Sequence, residues 1–212
     1  MKENIDCWIF IGGEHPSKKD LLDFSVPAFI IAADSGCMAA LRMDYTPDYV
    51  VGDFDSMDLS LVKEKIPWNR IYPSPRDKDF SDTELALQMA KKLGAKAPLL
   101  IGGGGGRMDH MLAIVQIFNR LYVPAYWISA YERIFLIEGS AILDEKEGRT
   151  ISFYPLEHAP EQVISKGLVW ELDKVAWKNG ELSLSNRIKN SPVKISCSSG
   201  RILAIIPNEE IL

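Results

Sequence analysis

The chain has 212 residues, 47% hydrophobic and 25% charged, the balance of a globular protein with one large domain or two small ones. Its net charge of −5 and pI near 5.3 argue against nucleic acid or an anionic membrane as partner, and no apolar run approaches the ~20 residues of a bilayer span. Three widely spaced cysteines (Cys7, Cys37, Cys197) and three histidines (His15, His110, His158) exclude a disulfide framework and a histidine-rich metal site; with no signal-peptide run at the N-terminus, they fit a reducing cytoplasm.

In chain order, Cys7 to Ile11 is a continuous apolar run that reads as a buried strand opening at Gly12-Gly13, either a tight turn or a close approach to a ligand. Ser17 to Phe24 predicts a short helix. Ala28 to Ala33 is a second buried strand ending in Asp34-Ser35-Gly36, followed by a helix over Cys37 to Met43. Free N–H groups at that helix start suit an anion, and Asp34 equally suits a cap. Pro47 to Ser56, PDYVVGDFDS, is a third strand with an acidic loop. In extended backbone Asp53 and Asp55, at i and i+2, point the same way. Two such carboxylates repel unless a cation lies between them or one is protonated, and hard cations such as Mg²⁺ favour this oxygen set. The alternative is a polar turn. Ser56 or Asp58 caps a helix over Leu59 to Ile66. Arg70 to Tyr72 is a short strand, stopped by Pro73 and Pro75.

Arg76 to Glu84, RDKDFSDTE, gathers Asp77, Asp79 and Asp82 with Arg76 and Lys78 interleaved. Ser81 and Glu84 have capping-box spacing before a helix over Leu85 to Leu93. The mixed charges suit either a solvated loop or a metal–phosphate site. Pro98 to Ile101 is a buried strand feeding five glycines, Gly102 to Gly106, then Arg107 to His110 and a helix over Met111 to Leu121. Neither a P-loop nor a strict dinucleotide fingerprint is present. The glycine N–H groups offer a phosphate cradle beside a helix start, with Arg107 as charged partner; Asp109 is a candidate cap. Ala125 to Ser129 is the last strand of this series. Alternating strands and helices predict a parallel, Rossmann-like α/β domain over residues 1–132.

Beyond Arg133 the helical periodicity fades. Thr150 to Tyr154, Val193 to Cys197 and Ile202 to Ile206 read as strands, with turns at Gly148, Lys178-Asn179-Gly180 and Ser199-Gly200. Residues 133–212 are expected to form an all-β sandwich domain. Trp170, in Gly167-Leu168-Val169-Trp170, and Ser185-Asn186 suit a flat heteroaromatic ligand, or else core and turn respectively.

Taken together, AADSG (32–36), PDYVVGDFDS (47–56), RDKDFSDTELAL (76–87) and GGRMDHMLA (105–113), with GLVW (167–170) and LSN (184–186), resemble the thiamine pyrophosphokinase family along nearly the whole chain. The resemblance implies an N-terminal α/β domain, a C-terminal β-sandwich, and a homodimer with active sites at the subunit interface. It implies transfer of the diphosphoryl group of ATP to the thiamine hydroxyl, giving thiamine diphosphate and AMP. Mapped onto this chain, Asp53, Asp55 and Asp82 would hold Mg²⁺, and Asp34, Asp77 and Asp79 would line the same pocket. Gly105, Gly106, Arg107 and Asp109 would meet the nucleotide. Trp170, Ser185 and Asn186 would meet the pyrimidine of thiamine, contributed by the partner subunit. Asp34 or Asp79 would accept the hydroxyl proton. Ser35, the five-glycine run and Arg187 depart from the family pattern. Two other functions are compatible with the acidic loops: a Mg²⁺-dependent pyrophosphokinase acting on another alcohol such as a pterin, and a non-catalytic thiamine- or nucleotide-sensing module.

Overall fold

The computed structural model describes residues 4–55, 59–75, 77, 79–120, 122–156 and 159–208. They form a mixed α/β protein with extensive sheet and few helices, divided into two compact units, Met1–Ala130 and Tyr131–Leu212. The expected caps Ser56 and Asp58, and the basic residues Arg76 and Lys78, lie outside the described residues.

The first unit is built on β1 (Cys7–Phe10), which is buried on both faces, as its unbroken apolar run requires. It pairs in parallel with β2 (Phe29–Ala33) on one side and β5 (Pro98–Ile101) on the other. β3 (Tyr49–Gly52) and β4 (Ile71–Pro73) extend the β2 side, and β6 (Tyr126–Ile128) extends the β5 side, all in parallel. The strand order is therefore β4-β3-β2-β1-β5-β6. The chain grows outward from β1 in one direction, then returns to start again at β5. In an open α/β sheet the crevice outside such a reversal is where ligands bind.

Between the strands run α1 (Gly36–Arg42), α2 (Leu59–Lys65), α3 (Asp82–Lys92) and α4 (Met108–Ile117). α1 sits so close to the end of β1 that a Cβ at Gly36 would collide with the Phe10 carbonyl. The helix predicted over Ser17 to Phe24 is a single 3-10 turn, Lys18–Leu21; Asp20 closes it by accepting hydrogen bonds from the Ser17 N–H and hydroxyl. Four residues held that way leave no room for an α-helical ladder.

The second unit is antiparallel. β7 (Glu132–Leu143) runs beside β11 (Val193–Pro207) along its whole length. The register shifts between Ser196 and Arg201, where Gly200 has φ 78°. On one side of this bulge β11 pairs with β9 (Ile164–Lys166), on the other with β8 (Thr150–Pro155). β10 (Ser183–Arg187) adds to β8. The two strands expected at Val193 to Cys197 and Ile202 to Ile206 are thus one bulged strand, and Ser199-Gly200 is its bulge rather than a turn. A β-bulge keeps pairing on both sides while bending the strand. β7, β9 and β10 lie outside the strands that the sequence predicts. Ile137, Ile151, Phe153, Val193, Ile202 and Ile206 are fully buried at the centre of this unit. Among the described residues no helix is long and apolar enough to cross a membrane.

Candidate active site

At the carboxyl end of the parallel sheet, the loops after β1, β2, β3 and β5 and the starts of α3 and α4 enclose a cleft of about 790 Å³. It opens at the β1/β5 reversal. Gly12 and Gly13 come from one strand end and Gly103 to Gly105 from the other.

The acidic wall is made locally, by backbone conformation. Gly52 has φ 151°, and a Cβ there would lie 3.2 Å from the Asp34 N, Cα and Cβ atoms. The Asp34 N–H donates to the Val51 carbonyl at 2.8 Å, so the ends of β2 and β3 are stapled together. Asp34 itself has φ 47°, and the N-cap position of α1 is Ser35. Between the two aspartates of the acidic loop, Phe54 has φ 58° and is buried. The extended D-x-D geometry is therefore corrected. A left-handed residue turns the chain, the Asp55 N–H donates to Asp53 Oδ1 at 3.1 Å, and the phenyl ring goes to the core while both carboxylates stay at the cleft. A bulky residue at positive φ persists only where its surroundings over-determine it, and the buried ring supplies that constraint.

The outcome is that Asp34, Asp53 and Asp55 each bring a carboxylate oxygen within 4.8 Å of the others. Asp82, at the start of α3, lines the same cleft without joining that trio. The capping box holds α3 in place: Ser81 Oγ accepts from the Glu84 N–H, and Glu84 Oε2 accepts from the Ser81 N–H at 2.7 Å. Burial pushes the Glu84 carboxyl up, but the Ser81 bonds and the Arg120 guanidinium outweigh it and hold it below its ordinary value. Asp77 and Asp79 are exposed and do not line the cleft.

The opposite wall is the glycine run. All five glycines from Gly102 to Gly106 have positive φ. The Gly102 N–H donates to the Ile128 carbonyl and the Gly103 N–H to the Gly12 carbonyl. At Gly102 a Cβ would fall 2.7 Å from His15 Nε2, which donates to the Ile11 carbonyl. Burial holds the His15 imidazole below its ordinary value, and the ring wedges between the two glycine loops. The first glycines are thus required by packing inside the protein. Gly104 and Gly105 face the cleft; Gly106 is not among its lining residues.

Arg107 is the N-cap residue of α4 and pairs bidentately with Asp109, at 2.9 and 2.6 Å. Asp109 is thus a partner for Arg107 rather than the cap. Its hydrogen bonds from Arg107 hold its carboxyl far below the usual range. Both residues line the cleft, and with His110 they bring the Arg107 guanidinium and an imidazole to face the acidic wall. Thr83 and His110 also line it and carry no role in the sequence reading, although each lies inside one of the stretches quoted above; Ser35, noted there as a departure from the family pattern, lines it too. The donor set fits a hard divalent cation: clustered carboxylate oxygens on one side, with backbone and basic donors for phosphate on the other.

In the second unit, Trp170 is 60% exposed, whereas Asn186 is buried. Asn186 Nδ2 donates to the Trp170 carbonyl at 2.6 Å, and its Oδ1 accepts from the Trp170 N–H. Ser185 is exposed on β10, with φ 51° at a register shift against β8. The pair Ser185-Asn186 is therefore in a bulged strand, not a turn.

The family model for the thiamin pyrophosphokinase catalytic domain matches residues 24–127, and that for the thiamin pyrophosphokinase vitamin B1 binding domain matches residues 140–202. The chain is 25% identical to a thiamine pyrophosphokinase of Bacillus subtilis (strain 168), over 82% of this chain and 85% of the relative. It is 27% identical to a thiamine pyrophosphokinase of Oryza sativa subsp. japonica, over 78% and 68% respectively. In fold it is similar to the crystal structure of thiamine pyrophosphokinase from Bacillus subtilis, with TM-score 0.78 and 20% identity over 95% of this chain and 99% of that one. It is also similar to thiamin pyrophosphokinase from Candida albicans, with TM-score 0.72 and 19% identity over 97% and 89%.

Proposed function

The chain belongs to the thiamin pyrophosphokinase family, transferases that make thiamine diphosphate with ATP, and from that premise we propose how its acidic cleft performs the transfer. The thiamine hydroxyl attacks the β-phosphorus of ATP, the bond to the α-phosphate oxygen breaks, and AMP leaves. The observation that carries the reading is the convergence of Asp34, Asp53 and Asp55 at the sheet reversal, facing the glycine loop and Arg107 across one cleft.

Asp53, Asp55 and Asp82 are assigned to Mg²⁺, with Asp34 completing the carboxylate cluster. When bound, the ion neutralises charge on the transferring phosphates. The chain's own groups position the reactants, which is most of the work in phosphoryl transfer. Gly104, Gly105, Arg107 and His110 are assigned to the nucleotide phosphates, with Asp109 fixing the Arg107 guanidinium plane. Gly106, Asp77 and Asp79 lie off the cleft wall and are assigned no contact with the phosphates or the ion. Of the two carboxylates considered for the hydroxyl proton, Asp34 lines the cleft and Asp79 does not, so Asp34 is preferred.

Trp170 and Ser185, both exposed, are assigned to thiamine. We read the first unit as the Rossmann-like ATP and Mg²⁺ domain and the second as a sandwich-type thiamine and dimerisation domain of a cytoplasmic homodimer. The parallel order around β1 supports the first assignment, the two-sided antiparallel pairing of β11 the second, and three free buried cysteines the reducing compartment; the dimer rests on the family resemblance.

The test is product analysis with purified protein, thiamine, ATP and Mg²⁺. Equal amounts of AMP and thiamine diphosphate, abolished by EDTA and by Asp55→Asn, are expected. ADP with thiamine monophosphate would instead place the attack at the γ-phosphorus and overturn the assignment.

A further inference from the structure

The loop that carries Trp170 is tied at every point except the indole itself. Leu168 and Leu172 are buried anchors on either side, while Val169 and Trp170 are exposed. Glu171 folds back beneath the loop: Oε1 accepts from the Gly167 and Leu168 N–H groups at 3.1 and 3.3 Å, and Oε2 from the Ser165 hydroxyl at 2.5 Å. Ser165 Oγ in turn accepts from the Leu172 N–H at 2.8 Å. Gly167 has φ 108°, and a Cβ there would lie 2.6 Å from the Asn190 carbonyl oxygen.

From the other side comes Asn186. A neutral side-chain amide offers two donors and an oxygen with two lone pairs. All four are used here. Nδ2 donates to the Trp170 carbonyl at 2.6 Å and to Ser183 Oγ at 3.0 Å. Oδ1 accepts from the Trp170 N–H at 3.3 Å and the Arg187 N–H at 2.8 Å. The amide is buried and saturated, so it has nothing left to offer a ligand. Both polar backbone atoms of Trp170 are held by this one side chain.

We propose that Asn186 and Glu171 are positioning residues for thiamine, holding Trp170 as a preformed aromatic face rather than touching the substrate. This rests on the assignment of Trp170 to thiamine. A large exposed aromatic whose backbone is already fixed avoids part of the ordering penalty on binding, which is the advantage of preorganised aromatic anchors.

The experiment measures steady-state kinetics and thiamine affinity by calorimetry on the full chain. Variants are Trp170→Ala, Asn186→Ala, the double variant, Glu171→Ala, Glu171→Gln and Ser183→Ala. Asn186→Ala is expected to raise the KM and Kd for thiamine roughly tenfold, with kcat at saturating thiamine and the KM for ATP within about twofold. The double variant should bind no more weakly than Trp170→Ala, because the two changes remove one interaction. Glu171→Gln, whose amide oxygen still accepts from Gly167 and Leu168, should stay near wild type while Glu171→Ala follows Asn186→Ala.

A purely structural role predicts lost thermal stability with an unchanged thiamine KM, or equal losses for both substrates; either result overturns the proposal, as does an additive double variant. If Asn186→Ala does not fold, the Glu171 pair and Ser183→Ala give the same readout. An unchanged thiamine KM in Trp170→Ala would instead sink the underlying assignment. A loss there, with none in the Asn186 and Glu171 variants, sinks only the positioning role.

Discussion

Gly52 is where a single side chain decides the site. Its φ of 151° strains any L side chain, and the 3.2 Å approach means that a Cβ could enter only if Asp34 gave way. Gly52→Ala should cost about 1–3 kcal/mol, the scale of a strained backbone position. It should also push Asp34 out of the carboxylate cluster and lower kcat on the order of 10²-fold, since small displacements of positioning groups have large effects. Thermal melts and kinetics on the same sample check both halves; a stable, fully active variant would mean that the β2–β3 staple does not set the site. The residue scale also shows what sequence could and could not convey. That Asp53 and Asp55 serve one spot was legible from their spacing and the strand before them. How they do so was not: alternation in a strand cannot reveal that Phe54 adopts φ 58°, because that depends on a core pocket formed by distant residues.

At the scale of the element, α3 is the clearest case of sequence dictating structure. Ser81 and Glu84 were read as a capping box, and the helix starts at Asp82 with both reciprocal bonds formed. Local chemistry at helix ends needs only neighbours in the chain. Ser81→Ala should cost about 1 kcal/mol and, by fraying the first turn, displace Asp82 from the cleft; lower Tm with weakened Mg²⁺ dependence is the expected pair of results. Glu84 also ties α3 to Arg120 at 2.5 Å. Its carboxyl is depressed below the ordinary 4.5, so its contribution is present at neutral pH, above the unfolded value, and is lost as pH falls through the folded value. Glu84→Gln should therefore lower Tm at pH 7 while melting closer to wild type at about pH 3. A constant gap across that range would count against the linkage. By contrast, β7, β9 and β10 are not legible in the sequence; β7 and β10 show why. Glu138-Gly139-Ser140 interrupts the alternation of β7, and Ser183-Leu184-Ser185-Asn186-Arg187 lacks the apolar content of a buried strand. Both are held by long-range pairing, to β11 and β8, which no local window contains.

Across the whole molecule, the reversal of strand order at β1 and β5 is what collects loops from four strand ends into one cleft. Sequence showed alternating strands and helices but not their lateral order, so the glycine run read as a phosphate cradle. In the folded chain its first members are needed to let the two strand-end loops pack around His15. The same convergence concentrates negative charge in a chain that is already acidic, at net −5. Three carboxylate oxygens within 4.8 Å repel one another when no cation is bound, so the fold carries a local cost that the proposed Mg²⁺ would relieve. This gives an ordering that can be checked on the intact protein. In EDTA, Asp55→Asn should melt above wild type by roughly 1–3 °C, because one repulsive charge is gone. In excess Mg²⁺ the order should invert, since wild type gains ion-binding free energy that the variant cannot. Raising monovalent salt in EDTA should shrink the first difference by screening. Identical melts in all three conditions would show that the aspartates neither repel nor share an ion, and would remove the physical basis for reading this cleft as a metal–phosphate site.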